Sequence, residues 1–453
     1  MRIFDSPASS APQVKLLSNG RYQVVISNAG GGYSRWRDLA VTRWREDATR
    51  DCWGTFIYLR EPATGEFWST GFQPTLHPAE SYKAIFSHAG AEFRLQKGDL
   101  EIHTQICVSP ENDVELRRVT LTNHSRVRRS IELTSYAEVV LAVPGADAAH
   151  PVFSNLFVQT EFVRTNPAVL CNRRPRSEGE KAPWLFHLMV GEVGAEDTIS
   201  CETDRARFIG RGRTPARPAA MEDPSPLSNT VGSVLDPIIS LRRTFGLAPD
   251  DTVRIDFIVG VTESRDAALA LVEKYRTTNV ADQSFDLRLS LRQLDAAEDE
   301  LQIYERLASA LIYADPAQRA AAGVLLKNRR GQSGLWRYGI SGDIPIALLH
   351  VSTPAKIGMV NQLVQAHAYW RSQALAVDLV ILSKDASVSS QSLHNQITSL
   401  IDSGPEAEML NKSGGIFVRS LEQISDEDHV LLQSVARIVL TDKNGTLAQR
   451  QDT

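Results

Sequence analysis

Four cysteines in 453 residues, Cys52, Cys107, Cys171 and Cys201, are too scattered for metal-ligand or redox spacing. They read as free thiols in a reducing compartment. No basic start followed by an apolar core opens the chain, and no run of about eighteen apolar residues could span a bilayer. The cytoplasm is therefore the expected location. The ten histidines lack a His-Glu-x-x-His spacing, so a metal centre has no support. A Gly-x-Ser-x-Gly elbow is missing as well, which removes serine esterase chemistry. A net charge of -5 gives no reason to expect nucleic acid as a partner, and the arginine clusters at 126–129 and 173–176 read as solvated loops.

What is present is the composition of a globular protein, 42% hydrophobic and 23% charged, long enough for two or three domains. Residues 21 to about 285 alternate apolar and polar positions, with turn residues every ten or so places. Strands are predicted at 22–26, 55–59, 66–70, 91–95, 100–108, 115–123, 129–140, 184–190 and 253–261. Pro62-Ala-Thr-Gly65 reads as a hairpin turn. So many strands imply two large antiparallel sheets packed face to face. Two Pro-, Gly- and Arg-rich stretches, 144–151 and 173–228, read as long surface loops.

From about Asp295 the period becomes helical, through Leu301, Tyr304, Leu307 and Leu311, and Asp315-Pro316 offers a cap and a first-turn proline. These short helices form a linker to about Lys327. Gly334 to Ile346 is a poor helix and a poor strand, with three glycines and a proline, and reads as a shaped turn. Another helix starts at Thr353-Pro354. Apolar runs at 377–382, 415–418 and 438–440 then alternate with helical stretches at 389–401 and 425–435, the order of a small parallel α/β layer. No phosphate-cradling glycine motif opens its helices, so a nucleotide is not expected. The predicted domains are 1–290, 291–330 and 331–453.

Two stretches carry candidate chemistry. The first, Ser27 to Asp47, sets three glycines before Tyr33, Trp36 and Trp44, interleaved with Arg35, Arg37, Asp38, Arg43 and Arg45. Flat rings that accept a sugar's C–H face, beside charges that accept its hydroxyls, make a glycan surface. The alternative, that Trp36 and Trp44 anchor the core while the charges face water, stays open. The second stretch contributes Trp336, Arg337 and Asp343. Asp343 could instead cap a helix starting at Ile344.

These stretches, with Leu17-Ser-Asn-Gly-Arg-Tyr22, Asn28-Ala-Gly-Gly-Gly-Tyr-Ser34, Asp38-Leu-Ala-Val-Thr-Arg-Trp-Arg45 and Gly334-Leu-Trp-Arg-Tyr-Gly-Ile-Ser-Gly-Asp343, resemble the phosphorylase module of bacterial cyclic β-1,2-glucan synthases. That module belongs to glycoside hydrolase family 94, formerly glycosyltransferase family 36, with cellobiose and chitobiose phosphorylases. The resemblance implies an antiparallel β super-sandwich, a helical linker and an (α/α)6 catalytic barrel. It also implies inverting phosphorolysis of a β-glucoside, with inorganic phosphate as co-substrate and no cofactor. A six-hairpin barrel needs on the order of 300 residues, more than follow Asp343, so the barrel is expected to be missing and no catalytic residue can be placed.

The expectation is a carbohydrate-binding portion of such a synthase, inactive alone, whose substrate-binding residues are Tyr33, Arg35, Trp36, Asp38, Arg43, Trp44, Arg45, Trp336, Arg337 and Asp343. A split phosphorylase completed by a separately encoded barrel, and a scaffold without sugar affinity, are the alternatives. The expected partners are a β-glucan, the catalytic barrel or a second copy of the chain. The parent synthase would be anchored in the inner membrane by segments absent here.

Overall fold

The computed structural model describes residues 1–175, 177, 179, 182–191, 195–196, 198–290, 298–384 and 390–442. The start of the predicted linker and of the 389–401 helix lie outside them. The chain divides into two compact units, 1–294 and 295–453.

Unit 1 is built from two large antiparallel sheets of nine described strands each. The centre of the first is a ladder in which Leu100–Val108, Val114–Asn123 and Thr252–Thr262 lie side by side, with Ile102 opposite Leu121 and Leu121 opposite Val253. The second is organised around one fourteen-residue strand, Arg129–Ala142, which pairs with Pro237–Leu247 on one side and with Phe56–Arg60 and Leu39–Thr42 on the other. Alternate residues of both sheets meet in one core that includes Ile102, Ile106, Val119, Ile131, Leu133, Phe245 and Phe257. Period-two patterning reaches this result because each strand buries one face against the opposite sheet. The hairpin over Pro62 closes as expected, with Arg60 opposite Phe67 and Gly65 at φ 73°.

The outer faces are covered too, and here two expectations need correcting. The stretch at 173–228 is not a surface loop. Besides the expected strand, Trp184–Val190, it holds strand Ser200–Asp204 and helices Arg205–Ile209 and Ala219–Glu222, and it buries Phe208, Ile209 and Met221 against Tyr58 and Tyr136. Arg242 ties it down, donating to the carbonyls of Ala220 (2.6 Å) and Ser225 (2.9 Å). The stretch at 144–151 is helical as well. Pro144 and Pro151 each stand at the first turn of a short helix, Pro144–Ala149 and Pro151–Asn155, where proline's fixed φ and missing N–H cost nothing.

Unit 2 contains a four-stranded parallel sheet ordered Ile416–Ser420, Asp378–Ser383, Ile346–Val351, Ile438–Thr441. The strand Ile346–Val351 pairs on both sides, Leu348 lying opposite Val380 and Val439. It is absent from the sequence reading, and its presence rules out a helix capped by Asp343. Among the described residues the helices of this unit flank the sheet, and none forms a hairpin barrel. His367 pins the sheet's edge: one ring nitrogen meets Glu406 at 2.6 Å and the other the carbonyls of Val377 (3.0 Å) and Gly414 (3.1 Å).

Candidate functional site

The strand Gly32–Trp36 lies between Tyr22–Ser27 and Leu39–Thr42, with Tyr22 opposite Trp36 and Trp36 opposite Leu39. Alternation sends Gly32, Ser34 and Trp36 to the core side and Tyr33 and Arg35 to the other. The glycine triplet is explained by the backbone. At Gly32, with φ 142°, a Cβ would lie 1.8 Å from the Val25 carbonyl oxygen, and at Gly31 it would collide with Asp51. Only glycine fits such an approach.

On the outer face a cleft of about 280 Å3 opens. Tyr33, Arg35, Arg43, Trp44 and Arg45 all line it, so five of the ten predicted residues converge. Trp44 is half-buried, its ring centred 5.1 Å from that of Tyr33 at 54°. The Arg35 guanidinium lies 4.9 Å from the Tyr33 ring. Burial raises the Tyr33 hydroxyl above its ordinary pKa, against the opposing pull of Arg35, so the phenol stays neutral. Ala40 and Val140 make an apolar floor.

The far wall is ionic. Arg43, almost fully buried, meets Glu138 at 2.6 Å, Asp236 at 3.3 Å and Asp147 at 3.5 Å, and donates to Asn155 Oδ1 at 2.5 Å. Arg45 reaches Asp147 at 2.7 Å, and Arg205 reaches Glu138 at 2.7 Å. Burial alone would lower the Arg43 pKa, but the surrounding carboxylates hold it above the usual value. Desolvation raises Asp236, with Glu138 adding to it. Charges withdrawn from water persist only when paired in this way. Sequence reasoning missed Asp147, Glu138 and Pro144. Asp147 offered one signal, a lone acid in a Pro-Gly-Ala segment facing an Arg-rich strand.

The other predicted residues lie elsewhere. Trp36 is 6% exposed, sits in the core cluster and donates its indole N–H to Asp113 at 2.7 Å, while Arg37 stacks 4.4 Å from its ring. Asp38 is exposed on the turn that follows. The remaining three belong to unit 2. Trp336 is 62% exposed and donates to the Ser341 carbonyl at 3.2 Å. Asp343 accepts from Gln332 at 2.8 Å in the same turn, and Arg337 points to Asp428 at 3.5 Å. Leu335, Tyr338 and Ile340 of this segment pack against Leu431 and Phe417. Among the described residues no group of three His, Cys, Asp or Glu side chains could hold a metal ion, and no helix is long and apolar enough to cross a membrane.

A two-sheet antiparallel unit of this size, with nine described strands in each sheet, defines a large β-sandwich. Residues 1–278 match the glycosyl hydrolase 94 supersandwich domain, and the chain belongs to that family. Along 99% of its length it is 33% identical to the cyclic β-(1,2)-glucan synthase NdvB of Rhizobium meliloti, covering 16% of that protein. An N,N'-diacetylchitobiose phosphorylase of Vibrio proteolyticus is 25% identical over 62% of this chain and 35% of its own length. The solabiose phosphorylase of Paenibacillus borealis is 22% identical over 60% of this chain and 35% of its own. The chain thus spans between about a sixth and about a third of the length of these relatives.

Proposed function

We propose that this chain is a β-glucan-binding portion of a family 94 phosphorylase or glucan synthase and does not cleave glucan by itself. The observation that carries the reading is the convergence of Tyr33, Arg35, Arg43, Trp44 and Arg45 on one cleft. A pyranose would lay its C–H face on the half-buried Trp44 ring and turn its hydroxyls to Arg35 and Arg45. Asp147 lies between the guanidiniums of Arg43 and Arg45 and keeps both in place. Inorganic phosphate, and the group that protonates the leaving oxygen, would belong to the assembled enzyme, without a further cofactor. Residence in the cytoplasm, within or beside a membrane-anchored synthase, is part of the same reading.

The test is titration of the purified chain with β-1,2-glucan, followed by tryptophan fluorescence and calorimetry. Saturable binding is expected, with Trp44→Ala weakening it roughly ten-fold, about 1.4 kcal/mol. Absence of any response in the folded wild-type protein would leave the scaffold reading in its place. Release of glucose 1-phosphate from glucan and phosphate would overturn the claim of inactivity. A second reading draws on the phosphorylase relatives: the chain pairs with a separate catalytic region. Co-purification with such a region, and phosphorolysis by the pair only, would establish it.

A further inference from the structure

The glycine-rich turn has a second neighbour that the cleft does not use. A cavity of about 510 Å3 lies against it, walled by segments around residues 7–12, 28–29, 48–52, 72–76 and 214–216. That volume falls within the range of roughly 300–1,000 Å3 typical of small-molecule sites.

Its lining combines three features. Asp51 is buried, its carboxylate accepting from the Ser27 hydroxyl and filling the space that a side chain at Gly31 would need. Beside it, the Arg50 guanidinium is exposed and makes no ion pair with any described residue, while the Arg50 carbonyl accepts from Gln73 at 2.6 Å. Phe72, Pro74, Leu76 and Pro215 supply an apolar wall. Leu76 is half exposed although large and apolar, and both Leu76 and Asp51 adopt positive φ, 55° and 43°. Backbone in that region is costly for leucine, less so for aspartate, and it gathers where a ligand is clamped.

We propose that this cavity is a second saccharide-binding site, separate from the Tyr33–Trp44 cleft. An anionic ligand would meet the Asp51 carboxylate. A wholly apolar ligand would strip water from Arg50 and Asp51 and return nothing. A neutral polyhydroxylated ring satisfies all three features: hydroxyls accept from Arg50 and donate to Asp51, while the C–H face rests on Phe72 and Leu76.

Cys52 supplies the readout, because it lines the cavity and is half-buried whereas the other three cysteines are fully buried. The full chain is treated with a maleimide and Cys52 modification is timed by mass spectrometry, with and without a β-1,2-linked glucose oligosaccharide. Modification should slow as 1 + [L]/Kd, about ten-fold at ten times the dissociation constant. Arg50→Ala and Leu76→Asn should abolish protection; asparagine tolerates the positive φ, so the second variant keeps the fold. Trp44→Ala should leave protection intact, which separates this site from the first cleft. No protection in the wild type, protection lost with Trp44→Ala, or protection by inorganic phosphate alone would each overturn the proposal.

Discussion

Trp36 and Trp44 stand eight residues apart in the same aromatic and arginine-rich stretch, yet they serve opposite faces of one hairpin. Trp36 closes the core beside Tyr22 and Val24, its one polar atom satisfied by Asp113. Trp44 lies on the face that opens to solvent, beside Tyr33 and above a floor of small residues. Composition made the two equivalent. The pleat of the strand and the Arg37-Asp38 turn sort them, so one tryptophan packs the core and the other lines the cleft.

The largest expected effects separate the two faces by stability. Trp36→Ala should destabilise unit 1 by about 3–5 kcal/mol through the cavity it leaves, read as a fall in the urea midpoint. If Trp44→Ala costs as much, the division between core and cleft is wrong. Glu138→Ala, behind the cleft, should also cost about 3–5 kcal/mol, since it leaves the buried Arg43 and the half-buried Arg205 without their shared carboxylate. Glucan binding should then be lost together with the fold.

Acid sharpens the comparison in another way. His187 is fully buried, sits 2.7 Å from the Ser135 hydroxyl and 3.0 Å from the Ile258 carbonyl, and burial pushes its pKa down to about 4. The unfolded chain, with an ordinary histidine pKa near 6.5, binds the proton first, so stability is complete above about 6.5 and is lost as pH falls towards 4. The loss should approach about 3 kcal/mol. In unit 2, burial lowers His350 to about 4 and His429 in the same direction, their rings 5.1 Å apart. Two such groups should make unit 2 the more acid-sensitive, with its melting temperature falling more steeply between pH 6.5 and 4.5 in calorimetry. Equal slopes would refute this. The smallest effect is expected from Asp38→Ala, within about 0.5 kcal/mol in stability and without change in glucan affinity, because the side chain stands in water on the turn.

The sandwich was legible because its strands bury one face. The strand 100–108, with its alternating burial, falls where period two places it. Ile346–Val351 was not legible: both of its faces are covered, so Ile-Ala-Leu-Leu-His-Val shows no alternation, and it follows a Gly-Pro-rich turn that suggested a boundary. Pro144 and Pro151 read as loop residues because proline's tolerance at a helix start looks, in sequence, like its role in a turn. For the cleft, the ring and guanidinium residues were visible in the sequence. Which face each would take, and that Asp147 would arrive from a distant helix to hold two of them, depended on pairings between residues about a hundred positions apart.

Those distant pairings bear on how the chain is made. The strand Val114–Asn123 pairs early with Leu100–Val108 but finds its second neighbour only in Thr252–Thr262, and Arg129–Ala142 finds its longest partner only in Pro237–Leu247. During synthesis, the central strands of both sheets would therefore wait on the order of ten seconds, each with one edge unpaired, before the residues that close them emerge. Folding of unit 1 should be slow for its size, since contacts this remote must overcome chain entropy before they return any stability. The long central strand that organises the second sheet is thus also the segment with the greatest need of protection while the ribosome is still at work.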